Sequence, residues 1–293
     1  VIAFSGATHD VAADGVYMAS LSKDDQARYI GWQGAFYNIA KIAATGGLVY
    51  LAGMLIDYYT GDITGLSATA AAAAKHNGTV VAWTIIMAVT GVIMVMLGLY
   101  NAKFVPSEKT KDADEKPDLK QTMIDLGNVF VDLFRKKHIL YYIFFIILYR
   151  FAEGFVMKIV PLFLKADVAN GGLGLTEKEI GLCYGTFGAA AFVIGSVLAG
   201  YYVAHRGLQK SLFSLCCVFN LPFVAYTLLA IYQPESLWLI GGGIVLEYFG
   251  YGFGFVGLTL FMMQQIAPGK HQMAHYAFAS GIMNLGVMLP GML

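Results

Sequence analysis

Charge is what this sequence has least of. Of its 293 residues only 13% are Asp, Glu, Lys or Arg, against 58% hydrophobic. A soluble domain covers its surface with charge, and this chain has too little to do so. A bilayer removes that requirement, because lipid accepts apolar side chains facing outward. Acidic and basic residues balance at 19 each, so no long-range attraction to a polyanion arises. No basic run interleaved with aromatics is present either, and nucleic acid is not expected as a partner. Cysteine is scarce: Cys183, Cys216 and Cys217 stand in apolar runs without metal-ligand or redox spacing, and read as small buried hydrophobes. The sequence lacks a Ser/His/Asp nucleophile grouping, a zinc spacing and a phosphate loop, so neither enzyme chemistry nor a cofactor or metal is expected. It also lacks an initiator Met and a signal peptide. It opens in an apolar segment and stops inside another at Met288–Leu293, so a fragment of a longer chain is expected.

What the sequence does have is long apolar runs and 34 glycines, a residue that lets membrane helices pack closely. A spanning helix needs about 20 mostly apolar residues. Eight segments qualify, at roughly 1–21, 31–57, 80–102, 138–164, 178–204, 211–232, 236–263 and 273–293. The fold class expected is an all-α, polytopic membrane protein, a helical bundle of about eight transmembrane helices.

Orientation follows from Lys and Arg in alternate loops. One set holds Lys23, Arg28, Lys103, Lys109, Lys111, Lys116, Lys120, Arg135, Lys136, Lys137, Arg206, Lys210 and Lys270; the other holds only Lys75, Lys165 and Lys178. Thirteen against three places the first set on the cytoplasmic side, with 60–79 outside. The stretch from Lys103 to Lys137 is the longest polar connection. Ser107 to Lys120 mixes charges of both signs with Pro117 and reads as a flexible linker. Met123, Leu126, Phe130, Leu133 and Phe134 then recur at helical spacing before Arg135-Lys136-Lys137, the pattern of an amphipathic helix on the inner membrane surface. The organisation expected is 1–102 as the last three helices of an N-terminal bundle, 103–137 as a cytoplasmic linker, and 138–293 as the first five helices of a C-terminal bundle.

Ionisable groups inside the hydrocarbon cost roughly 2.5–3.5 kcal/mol each on insertion scales. This chain has several. Asp10 and Asp14 are four apart and share one helix face, with His9 adjoining. Gln33, Tyr37 and Lys41 form a stripe on the next helix, which puts Lys41 at about the depth of Asp14. Arg150 and Glu153 are three apart near the middle of the fourth segment, and Glu247 is deep in the seventh. Both signs are present, so pairing can offset much of the desolvation. The functional reading is a polar, water-accessible path with titratable carboxylates; the structural reading is buried ion pairs that hold helices together. Two local motifs carry no function. Gly252-Phe253-Gly254-Phe255-Val256-Gly257 matches a dinucleotide fingerprint but lies in an apolar run without the βαβ context, and Gly250, Gly254 and Gly257 read instead as a close-packing face. Asn77-Gly78-Thr79 fits a glycosylation sequon, a pattern that arises often by chance.

Three stretches carry a resemblance. Ser5-Gly6-Ala7-Thr8-His9-Asp10-Val11-Ala12-Ala13-Asp14-Gly15 resembles the fourth helix of muropeptide permeases of the AmpG type, within the major facilitator superfamily, whose S-A-T-Q-D-I-x-x-D-A run it follows with His9 in place of glutamine. Leu148-Tyr149-Arg150-Phe151-Ala152-Glu153-Gly154 is similar to the family's Y-K-x-G-D-A, with Arg150 for lysine and Glu153 for aspartate. Gln272-Met273-Ala274-His275-Tyr276-Ala277-Phe278-Ala279-Ser280 is similar to its A-T-Q-Y-A-L-L-S-S. Gly195-Ser196-Val197-Leu198-Ala199-Gly200, followed by His205-Arg206-Gly207 and Lys210, resembles the glycine-rich basic turn of the superfamily without its usual acidic residue. The resemblance numbers the eight segments as the fourth to eleventh of twelve helices. It implies a secondary active transporter of the inner (cytoplasmic) membrane, importing a cell-wall muropeptide or related sugar/peptide with protons. Asp10, Asp14 and Glu153 are then the candidate proton carriers, with Arg150, Lys41, His9 and Glu247 lining the pathway. The alternatives are another solute, such as an acetyl-CoA-like compound, a sugar or a drug, or a membrane receptor or scaffold that transports nothing.

Overall fold

A computed structural model describes residues 2–105 and 119–292. Among them the protein is wholly helical. Its helices are α1 (Ile2–Ser20), α2 (Lys23–Ile42), α3 (Val49–Thr60), α4 (Ala68–Phe104), α5 (Leu119–Phe134), α6 (Ile139–Lys165), α7 (Glu177–Ile180), α8 (Ala189–Arg206), α9 (Leu208–Asn220), α10 (Phe223–Tyr232), α11 (Leu237–Phe261) and α12 (Gln272–Met288). Wider π-type turns continue the chain from α2 into α3, from α7 into α8, and beyond α11. Each of the eight apolar segments is helical. Among the described residues four helical stretches, fewer than the eight expected, are long and apolar enough to cross a membrane: Ala68–Phe104, Gly181–Arg206, Leu208–Tyr232 and Leu237–Ile266. Of the rest, α12 has only 17 residues, while α1, α2 and α6 carry the ionisable groups singled out above.

Two compact units divide the chain, Val1–Phe36 with Lys111–Leu293, and Tyr37–Thr110. In the smaller unit α3 packs along α4. A methyl group at Gly78 would meet Thr60 Oγ1 at 2.5 Å and the Thr60 amide nitrogen at 2.9 Å, so the two helices approach closely there. The sequon Asn77–Thr79 is thus part of a helix. Ser67 caps α4 by accepting a hydrogen bond from the Ala70 amide at 3.3 Å. Only Gly78, Ala82 and Ile86 of α4 are buried, and Met87, Val92, Met94, Val95 and Leu99 are exposed. A helix with so apolar a free surface is suited to lipid.

The larger unit is organised around α11, which packs against α8, α9 and α10. Glycines set these contacts. A side chain at Gly250 or Gly254 would run into the α9 backbone or Phe219, and one at Gly257 would meet Leu215 at 2.8 Å. The three glycines therefore form the packing face read in the sequence, and the dinucleotide-like run lies inside a helix. On its other side Gly252 abuts the Phe192 carbonyl and Gly195 abuts that of Phe249. Pro222 breaks the stretch 208–232 between α9 and α10, as expected of a residue without an amide hydrogen, and its ring covers Gly250.

Residues 106–118, most of the expected flexible linker, lie outside the described residues. The helix after them, α5, forms as expected and docks on α12. Leu133 is buried, and Phe130 and Phe134 stand edge-on to Phe278 at 5.4 and 6.0 Å. Lys136 Nζ follows, donating to the carbonyls of Ile266, Ala267 and Pro268. A cation at a helix C-terminus offsets its unpaired carbonyls. His271 Nε2 lies 3.4 Å from Asp132, and His275 Nε2 lies 3.1 Å from the Val129 carbonyl.

Candidate functional site

Two groups of polar side chains stand out in the larger unit. The first is buried in the helices around α11. Arg150 and Glu153 face each other one turn apart on α6, their side chains 7% and 4% exposed. They pair through two parallel bonds, Nε to Oε2 at 2.6 Å and a terminal guanidinium nitrogen to Oε1 at 2.5 Å. This fork is the strongest geometry an arginine makes with a carboxylate. The guanidinium also sits 5.4 Å from the centroid of the Phe255 ring, a cation–π contact supplied by α11.

Glu247, from α11, is 7% exposed and feels the Glu153 charge. Its polar partner is the Tyr226 hydroxyl, which donates to Oε2 at 3.2 Å from α10. Tyr184, in the turns leading into α8, brings its own hydroxyl within 3.4 Å of Tyr226. Tyr248 stacks edge-on against Tyr184 at 5.2 Å. Among the described residues no ion pair is formed by Glu247. The cluster thus holds two buried carboxylates and one guanidinium. Charge of one sign exceeds the other where water is scarce, and burying such an excess costs several kcal/mol.

The second group lies where α1 meets α12. Asp14 is half-buried and accepts a hydrogen bond from Gln33 Nε2 of α2 at 3.1 Å. Tyr276, buried on α12, presents its hydroxyl to the same carboxylate. One turn earlier, Asp10 is exposed, its side chain at 84%, with His9 Nδ1 3.8 Å away. Asp10 and Asp14 share the face that the spacing indicates, but among the described residues only Asp14 reaches partners on other helices. Lys41 stands in the last turn of α2, within the smaller unit. Gln33, two turns earlier in the same stripe, lies in the larger unit and bonds Asp14.

The structure therefore joins Arg150, Glu153 and Glu247 in one cluster and gives Asp14 a separate setting. Sequence reasoning missed Tyr184, Tyr226 and Tyr276. Each is a tyrosine in an apolar run, with no local signal to separate it from the other tyrosines of the chain. The three cysteines are free; Cys183 is buried as expected, whereas Cys216 and Cys217 are only half-buried. Among the described residues no group of His, Cys, Asp or Glu could hold a metal ion.

A search of curated proteins finds no match. The Major Facilitator Superfamily, by contrast, is matched over residues 1–293. With that match along its length and several apolar helices of spanning length, the chain belongs to the Major Facilitator Superfamily and is a multi-pass membrane transporter.

Proposed function

We propose that the protein is a proton-coupled secondary transporter of the inner membrane that imports a small polar solute, a muropeptide or related sugar–peptide. Eight helices span the bilayer in this reading, with the connection 103–137 in the cytoplasm. The observation that carries the coupling is the imbalance at α6 and α11, two buried carboxylates against one buried guanidinium. Arg150 is committed to Glu153, and Glu247 is left to the Tyr226 hydroxyl. The remaining charge is removed most simply by a proton. A site that gains and loses one proton as its helices rearrange couples transport to a proton gradient. Asp14 is a second proton site, held by Gln33 and Tyr276 where α1 meets α12. The solute class rests on the resemblance of the runs around Asp10, Arg150 and His275 to muropeptide permeases.

The test is uptake of a labelled sugar–tripeptide muropeptide by full-length protein in proteoliposomes under an imposed proton gradient. The expected result is accumulation that a proton uncoupler abolishes. Uncoupler-resistant accumulation contradicts proton coupling, and no uptake of the muropeptide contradicts the solute class.

A further inference from the structure

We propose that the hydroxyls of Tyr184 and Tyr226 form a two-step path that carries protons between Glu247 and the outer side of the membrane. The proposal rests on the reading above that Glu247 binds a proton, and goes beyond it by assigning the route.

Three observations support it. The hydroxyls and the carboxylate form a chain, with Tyr184 3.4 Å from Tyr226 and Tyr226 3.2 Å from Glu247 Oε2. Exposure falls along that chain. Tyr184 is only partly buried, whereas Tyr226 and Glu247 are each 7% exposed. The chain also runs toward one end of the helices. Tyr226 lies less than two turns from the end of α10, and Tyr184 less than two turns beyond α7; the Lys/Arg bias assigns both of these ends to the outside.

A phenol donates one hydrogen bond while accepting others, so it can pass a proton without holding charge. A hydronium ion from the external water gives its proton to the Tyr184 oxygen and leaves as water, as the Tyr184 O–H proton passes to the Tyr226 oxygen. The Tyr226 proton passes in turn to Glu247 Oε2. Each tyrosine loses one O–H bond and gains one, and the net change is one proton on the carboxylate. The other groups facing Glu247 do not offer this route. Arg150 and Glu153, from α6, are engaged with each other. Tyr248 and Tyr251 stand beside it on its own helix. The charged residue of α9, Lys210, and those of α8, His205 and Arg206, lie at the opposite ends of their helices.

The experiment follows protonation of Glu247 in right-side-out proteoliposomes of the full-length protein. Its carboxylic acid infrared band, identified by its loss in Glu247→Gln, is recorded after a rapid drop in external pH. A positioned proton-transfer group contributes about 10²–10⁴-fold, so Tyr184→Phe is expected to slow the band's appearance by at least about tenfold while leaving its final amplitude unchanged. Tyr184→Phe leaves the Tyr226 donor to Glu247 in place, so a purely structural loss at the carboxylate is avoided. Tyr226→Phe is expected to slow the band at least as much. An unchanged rate in Tyr184→Phe overturns the path and leaves Glu247 as proton site intact. Absence of any band sensitive to Glu247→Gln overturns the underlying reading instead.

Discussion

The carboxylates of α1 and those of α6 and α11 are the same chemical groups in opposite settings. Asp10 is exposed, with His9 3.8 Å away, while Asp14, one turn on, is half-buried and held by an amide and a phenol. Glu153 and Glu247 are almost wholly buried, one locked to a guanidinium and the other hydrogen-bonded to a single phenol. Spacing along the chain made Asp10 and Asp14 the more conspicuous pair. Burial makes the glutamates the costlier charges, and cost inside a membrane marks function more sharply than spacing does.

The comparison can be broken first at its one cation. Arg150→Met leaves Glu153 buried without its partner, and removing one member of a buried pair destabilises by about 3–5 kcal/mol. A large fall in the melting temperature of the purified protein is expected, with much of it recovered in Arg150→Met/Glu153→Gln. A melting temperature equal to the wild type's would mean that the pair is not buried as described.

The α1 carboxylates separate next. Asp14→Asn is expected to abolish proton-driven accumulation while solute exchange across the membrane persists; Asp10→Asn should retain most accumulation, because no other helix contacts it among the described residues. Equal losses in the two variants would show that exposure does not distinguish them. Packing around α11 comes third. Gly254→Val forces a side chain against Phe219 and Leu215, and overpacking of this kind costs about 1–3 kcal/mol. Thermal unfolding should report it, while Gly242→Ala, where an added Cβ meets no atom within 4 Å outside its own helix turn, should stay near wild type.

The smallest effect lies in the turn between α3 and α4. Asp62 accepts hydrogen bonds from the Thr64 hydroxyl and amide, which hold its carboxyl below the ordinary value of 3.8. A depressed carboxyl stabilises its turn above the unfolded value and loses that contribution as pH falls through the folded one. Carbon NMR of the Asp62 carboxyl should therefore give a midpoint below 3.8, and Thr64→Val should raise it. A midpoint at or above that value would contradict the turn.

Much of this architecture was legible in the sequence, because apolar runs of spanning length and glycine spacing are local signals. The Arg150–Glu153 pair was legible for the same reason, as three residues on a helix bring two side chains together. The amphipathic pattern before Arg135 gave α5 correctly, but not its docking on α12 or the capping of carbonyls after α11 by Lys136, since both partners lie far along the chain. Glu247 could be suspected from its depth alone, whereas its place beside Tyr226 depends on how α10 and α11 pack. The Gln33 bond to Asp14 joins two helices through an amide, and nothing in the local sequence separates Gln33 from the other polar residues of its stripe.

The central claim is that the buried excess of carboxylate over guanidinium carries the coupling proton. Glu247→Gln tests it most directly, because it removes the excess charge and keeps the shape and the bond from Tyr226. The measurement is gradient-driven accumulation of labelled muropeptide against its counterflow exchange, in the same proteoliposomes. The account predicts exchange close to wild type with accumulation lost and no response to external pH. Full accumulation by Glu247→Gln, with its ordinary sensitivity to an uncoupler, would contradict it.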